Sequence, residues 1–180
     1  VIFTVSKRSR GELASVVYHV VHVISDRIQV REEILTMTAE KQFEQLLTAA
    51  KKKQIPVKWI SKGDVFSLKT LPDLSFEVLW PSKNEKSDDT NESSLVWRLN
   101  YRDFSMLFTG DLPGDCEDDL VSLKPVTVLK VAHHGSDYST TKSFLQQTTP
   151  QLAVISCSEN NRYGHPGKQL LKRLEEAKIP

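Results

Sequence analysis

VLKVAHHGSDYST, residues 128–140, closes an apolar run that begins at Val126 and stops at His133 and His134, before the chain turns through Gly135 and Ser136. Its Val and Leu residues carry the β-branched bias of a buried strand. The two imidazoles therefore stand where a strand leaves its sheet, the position at which layered α/β proteins place chemistry. Upstream, residues 104–109 form a second apolar run that ends in Gly110 and Asp111. Downstream, residues 152–156 lead into NNRYGHP, which puts His165 on a third loop of the same kind. Three consecutive predicted strands thus end in Asp, His-His and His.

Imidazole nitrogen and carboxylate oxygen are usual ligands of zinc and manganese, and a carboxylate can bridge two ions. Twenty-two positions separate Asp111 from His133, room for one helix and one strand, so these ligands can converge only through the fold. A GD turn or a single His taken alone is ordinarily a turn or capping residue. The three features in one order point instead to a site.

At SLVWRLNYRDFSMLFTGDLP (residues 94–113), VLKVAHHGSDYST and AVISCSENNRYGHP (residues 153–166), the chain resembles the metallo-β-lactamase fold, and within it the C-terminal domain of ComEC-type DNA internalisation competence proteins. A weaker likeness runs through KKKQIPVKWISKGD, residues 51–64. The order TGD, HHGS, NNRYGHP is specific, whereas TGD alone is not. The resemblance implies an α/β chain with a metallo-β-lactamase-like αββα sandwich that lacks its first strands and the end of the domain. Residues 1–180 then form one such domain, a fragment, with a flexible polar loop at 82–94.

The resemblance also exposes a departure. Such proteins carry H-x-H-x-D-H after an early strand, and the matching stretch here, VIFTVSKRSRGELASVV, has Lys7, Ser9, Gly11 and Glu12 in those places. Only Glu12 is an ordinary metal ligand. Lys7, Arg8 and Arg10 put positive charge where the family holds cations, which opposes a dinuclear centre. A chain that omits residues between Ser6 and Gly11 would show the same departure. Asn91 and Ser93 fall where many hydrolases of this fold place another His; an amide there positions phosphate or water but is a poor zinc ligand.

With 180 residues, 39% hydrophobic and 26% charged, the chain can bury one substantial core. A net charge of +1 supplies no global field toward nucleic acid, so any DNA contact comes from local patches. No apolar stretch reaches the roughly 18 residues of a membrane span, and there is no recognisable signal peptide. Cys116 and Cys157 form no CxxC and leave both pairing and compartment open; Cys157 reads as a small hydrophobe at a strand end.

The coarse pattern alternates strands and helices without a repeat. A short helix is predicted at 13–20 and a strand at 20–24, with 25–37 ambiguous. The clearest amphipathic helix is 38–53, with Phe43, Leu46, Leu47 and Ala50 at helical spacing and Lys51, Lys52 and Lys53 suited to its C-terminal end. Strands are predicted at 55–60, with SKGD as the turn after it, at 74–80 and at 95–99, the last pairing with 104–108 through a turn at 100–103. The acidic segment 115–120 starts a helix. Ser139 is the expected N-cap of a helix at 140–147, whose free N–H groups also suit phosphate. The last helix is 167–178, with Leu170, Leu171 and Leu174 inward.

The resemblance implies a phosphodiesterase or nuclease-like module that processes DNA during import and transformation. In it Asp111 bridges up to two zinc or manganese ions, His134 is a metal ligand, and His133 serves as ligand or in a catalytic outer-sphere role, the pair being exchangeable. His165 is then the catalytic group acting on substrate or as proton donor. Arg162 pairs with phosphate oxygens, Asn161 and Tyr163 orient the loop, and Ser136 lies among the substrate contacts. The implied partners are DNA, a membrane channel in a separate part of the same parent polypeptide, and other competence proteins. The implied place is a soluble domain on the extracellular face of a cell membrane protein. The rival expectation is a catalytically degenerate DNA-guiding or scaffolding domain, in which Lys7, Arg8 and Arg10 hold phosphates in place of cations. A third, ranked last, is an enzyme on a small phosphoester or lactam, from fold analogy alone.

Overall fold

The computed structural model describes residues 2–5, 39–83, 89, 91–120 and 123–180, with side chains from 44 onward. The stretch containing Lys7 to Glu12, the helix and strand predicted at 13–20 and 20–24, and the ambiguous 25–37 lie outside the described residues.

The predicted amphipathic helix forms as α1 (Ala39–Lys52), with Lys51 and Lys52 in its last turn. It buries Leu46 and Ala50 against Ile55 and Val57. Strand β1 (Ile2–Val5) pairs in parallel with β2 (Val57–Ile60). The turn after β2 closes as SKGD suggests, with the Ser61 amide donating to Asp64 Oδ2 at 2.9 Å.

The larger sheet holds six strands in sequence order: β3 (Val65–Leu68), β4 (Leu71–Trp80), β5 (Val96–Tyr101), β6 (Phe104–Phe108), β7 (Val128–Lys130) and β8 (Leu152–Val154). Pairing is antiparallel from β3 to β6 and parallel from β6 to β8. That change of sense at β6 requires crossovers between the last three strands, and short helices supply them: α2 (Gly114–Glu117) lies between β6 and β7, and α3 (Lys142–Thr148) between β7 and β8. Helix α4 (Lys168–Glu176) follows β8. The result is a mixed α/β architecture, a six-stranded sheet flanked by helices. Leu107, Leu129 and Val131 from the sheet pack with Leu112, Phe144, Leu170 and Leu174 in one core. Trp97 stacks on Phe108 across β5 and β6 with centroids 4.1 Å apart.

Several local expectations are corrected. Strand β3 was not legible, because Val65 and Leu68 are exposed and the segment shows no alternation; its pairing with β4 makes it a strand. Helix α3 starts two residues later than predicted because Thr140 is left-handed (φ 56°) and cannot continue a helix. Thr141 is the N-cap, accepting from the Phe144 amide, while Ser139 donates its hydroxyl to the Leu112 carbonyl at 2.9 Å. Leu171 is exposed, leaving Leu170 and Leu174 as the buried face of α4. Cys157 is exposed, not a packed hydrophobe, and neither cysteine forms a disulfide. In the 82–94 segment, residues 84–88 and 90 lie outside the described residues; Ser93 and Ser94 are buried, and Trp80 Nε1 donates to the Glu92 carbonyl at 2.6 Å.

Candidate functional site

Parallel neighbours end at the same edge of a sheet, so the loops after β6, β7 and β8 emerge side by side. Asp111 follows β6, His133 and His134 follow β7, and the segment to His165 follows β8. The first two loops are tied at their roots: Thr109 Oγ1 donates to the Lys130 carbonyl at 2.6 Å, and the His133 amide donates to the Gly110 carbonyl at 3.0 Å. Asp111 is further fixed by its own amide, which donates to Ser94 Oγ at 2.9 Å.

His133 (φ 48°, ψ 48°) and His134 (φ 54°, ψ 21°) are both left-handed, a conformation that costs about 1–2 kcal/mol per residue away from glycine. Such strain persists only where the surroundings impose it. It turns His134 so that Nδ1 meets the Ser156 carbonyl at 2.8 Å and Nε2 faces Asp111 Oδ1 at 3.6 Å. A carbonyl only accepts, so Nδ1 carries a proton, and in the neutral ring the Nε2 lone pair faces the carboxylate. Asp111 Oδ1 is buried without a hydrogen-bond partner. Two lone pairs facing each other call for a proton or a cation between them.

His133 lies 5.8 Å from His165, centroid to centroid, and 6.5 Å from His134. Burial pushes the His133 pKa below the usual histidine value, with His165 and His134 adding to that and Asp111 and Asp89 opposing it. Tyr163 stacks on His165 at 5.8 Å and 17°, and the Arg162 guanidinium sits 4.9 Å over the Tyr163 ring while donating to its hydroxyl at 2.7 Å. Asn161 shapes this loop: Oδ1 accepts from the Tyr163 and His165 amides, and Nδ2 donates to the Ser158 and His165 carbonyls. Ser136 is buried, its hydroxyl accepting from the Tyr138 amide at 3.2 Å. The structure therefore gathers Asp111, His134, His133 and His165 along one edge, places Arg162 and Tyr163 at its exposed margin, and gives Asn161 and Ser136 bonds within their own loops.

Sequence reasoning missed six supporting residues. Glu117 is 1% exposed and accepts from the Thr140 and Thr141 amides at 2.5 and 2.8 Å, joining the Asp111 loop to the His loop; burial raises its pKa despite those bonds and Arg173. It was hidden in the acidic run DCEDD, which reads as a helix start. Asp137 Oδ1 accepts from the Leu170 amide at 2.9 Å, and Arg173 donates to the carbonyls of Asp137, Ser139 and Thr140. Gly167 is required here, because a Cβ would overlap the Asp137 carboxylate. Lys130 is a lysine set in an apolar strand; burial lowers its pKa and the charge of Asp111 opposes that. Its lone charge within VLKVA was the available signal. Ser94, which accepts the Asp111 amide, had none.

For a metal the chemistry of the Asp111 and His134 pair fits, a carboxylate oxygen and an imidazole nitrogen 3.6 Å apart. The number falls short: among the described residues no three His, Cys, Asp or Glu side chains gather closely enough to hold an ion, whereas zinc sites take three or four protein ligands. Also among the described residues, no helix is long and apolar enough to cross a membrane.

The chain is 35% identical to ComE operon protein 3 of Bacillus subtilis over 144 residues, 78% of this chain and 18% of that protein. It is 35% identical to Competence protein ComA of Neisseria gonorrhoeae over 105 residues, 56% of this chain and 15% of that protein. It is 33% identical to Recombination protein 2 of Haemophilus influenzae over 106 residues, 58% of this chain and 13% of that protein. The matched part thus spans less than a fifth of the length of these curated relatives. No family model matches the chain.

Proposed function

We propose that the chain is a DNA-processing domain of a competence-type uptake protein, with the fold of a metallo-β-lactamase-like sandwich, acting on phosphodiesters at the edge that carries Asp111, His133, His134 and His165. The names of the relatives support the process. The observation that carries the chemistry is the unpartnered Asp111 Oδ1 facing His134 Nε2 at 3.6 Å. Asp111 and His134 would be two ligands of a zinc or manganese ion, with further positions open to substrate or water. Such an ion lowers the pKa of a bound water and neutralises phosphate charge.

The chain's own groups fill the remaining roles. His133, whose pKa burial lowers, hydrogen-bonds a phosphate oxygen or takes a proton. His165 sits beside it as the proton donor at the leaving oxygen, and Arg162 pairs with phosphate oxygens. DNA meets this edge on the outer face of the cell on its way into a membrane channel formed by another part of the same polypeptide, with other competence proteins nearby.

A second reading, a DNA-guiding domain without a metal centre, is favoured by one observation: Lys130 lies close enough to Asp111 for their charges to interact, so a cation of the chain's own is already near the carboxylate. Metal content per chain after loading with zinc or manganese and desalting, beside nuclease activity, separates the two. One to two ions lost in Asp111→Ala, with DNA cleavage, supports the first. Folded protein that binds DNA but retains no ion supports the second. Binding of neither metal nor DNA overturns both.

A further inference from the structure

Large side chains that stand in water without a packing role are informative when they collect in one place. Among the described residues the two most exposed large hydrophobics are Tyr138, at 87%, and Tyr163, at 66%. The first lies four positions after His134 and the second two positions before His165. The other exposed ones, such as Trp59, Val65, Leu71 and Phe104, belong to strands away from these loops.

The backbone around Tyr138 is pinned while its ring is free. Its amide donates to Ser136 Oγ, its carbonyl accepts from the Gly114 amide at 2.9 Å, and its neighbours Asp137 and Ser139 are bonded to α4 and to Leu112. A loop fixed at every residue that still holds an aromatic ring outward presents that ring at low entropic cost. Tyr163 is held comparably, its amide on Asn161 Oδ1 and its ring aligned with His165. Arg162 adds a cation against the same ring.

An aromatic face with an arginine beside a phosphate-handling edge matches unpaired nucleotides, whose bases stack on the ring while the backbone meets the cation. A duplex keeps its bases stacked on one another and has no free face to offer. We infer that Tyr138 and Tyr163 are stacking positions for unpaired nucleobases on either flank of the histidine cluster in sequence, so that the site takes single-stranded in preference to double-stranded nucleic acid. The inference rests on reading this edge as a phosphodiester site, and it adds the strandedness of the substrate and the residues that select it.

The test is a fluorescence-anisotropy titration at one salt concentration with three probes: a single-stranded oligonucleotide of about 12 nucleotides, the same strand in a duplex, and an abasic strand of equal length. Tyr138→Ala and Tyr163→Ala are each expected to weaken single-strand binding by about 5- to 150-fold and to leave duplex binding unchanged. The abasic strand should bind wild type no better than the intact strand binds the alanine variants. Tyr138→Trp and Tyr163→Trp should restore the affinity, which a merely structural role would not require. Single strands that bind equally well to wild type and both alanine variants, or as well when abasic, overturn the stacking inference and leave the phosphodiester reading standing. Failure of all three probes to bind wild type overturns both.

Discussion

Glu117 and Thr140 are joined across two loops: the buried carboxylate receives the Thr140 amide at 2.5 Å, and the adjacent Thr141 amide at 2.8 Å. The same contact sets the distance between the segment carrying Asp111 and the one that follows His134. Removing it in Glu117→Ala leaves two buried N–H groups without acceptors, at about 1–3 kcal/mol each. The expected result is a loss of about 2–5 kcal/mol in denaturant unfolding, with Glu117→Asp intermediate.

The pH dependence of this carboxylate has a definite sign. Burial raises the folded pKa of Glu117 above its ordinary value of 4.5, so the folded state binds the proton more tightly than the unfolded one. Its contribution is fully present below the unfolded pKa and is lost as pH rises through the folded value. The stability of wild type relative to Glu117→Gln should therefore fall as pH is raised from about 4.5 toward neutrality. A difference that grows with pH would contradict the assignment.

Asp111→Asn tests the facing pair. An asparagine amide can donate to His134 Nε2 when that nitrogen is unprotonated, which a carboxylate cannot do. The variant should be more stable than wild type by about 1 kcal/mol, while its affinity for manganese falls at least about tenfold. Destabilisation with unchanged metal affinity would remove Asp111 from the site.

Gly114→Ala introduces a Cβ that would lie 2.7 Å from the Tyr138 carbonyl oxygen and 2.8 Å from Thr141 Cγ2. Backbone must move, so a loss of about 1–3 kcal/mol is expected. Amide chemical-shift changes should concentrate at residues 137–141, and a spread confined to 114 itself would show the loops to be less tightly coupled.

Asp137→Ala removes the acceptor for the Leu170 amide at the start of α4. Loss of such a cap costs about 0.5–2 kcal/mol, read as a lower thermal midpoint, and Asp137→Asn should recover most of it. A variant as stable as wild type would assign the cap to another group.

The strands ending in Asp111 and His133 were legible because each is a largely apolar run stopped by a polar residue. Strand β3 was not, since Val65 and Leu68 stay exposed and owe their conformation to β4. The three loops at this edge could be read from Gly-Asp, His-His-Gly and Gly-His-Pro, because turn residues mark where a strand ends. The brace beneath them could not. Glu117 looks like its acidic neighbours Asp115, Asp118 and Asp119, and only the approach of Thr140 and Thr141, twenty-three and twenty-four positions later, distinguishes it. Ser139 misled for the opposite reason: it has the composition of a cap, yet the left-handed Thr140 after it delays the helix by two residues.

Consecutive left-handed histidines at 133 and 134 hold a shape that their own backbones resist, so the restraint is borrowed from Gly110, Ser156 and the loops around them. Such a segment relaxes locally before the domain melts. The His133 amide should therefore exchange its hydrogen through brief opening of the loop, at a rate well above that of the Leu129 amide in the core. A temperature exists at which the sheet is intact and the site has lost its form. Loss of the site's geometry on heating would precede loss of fold.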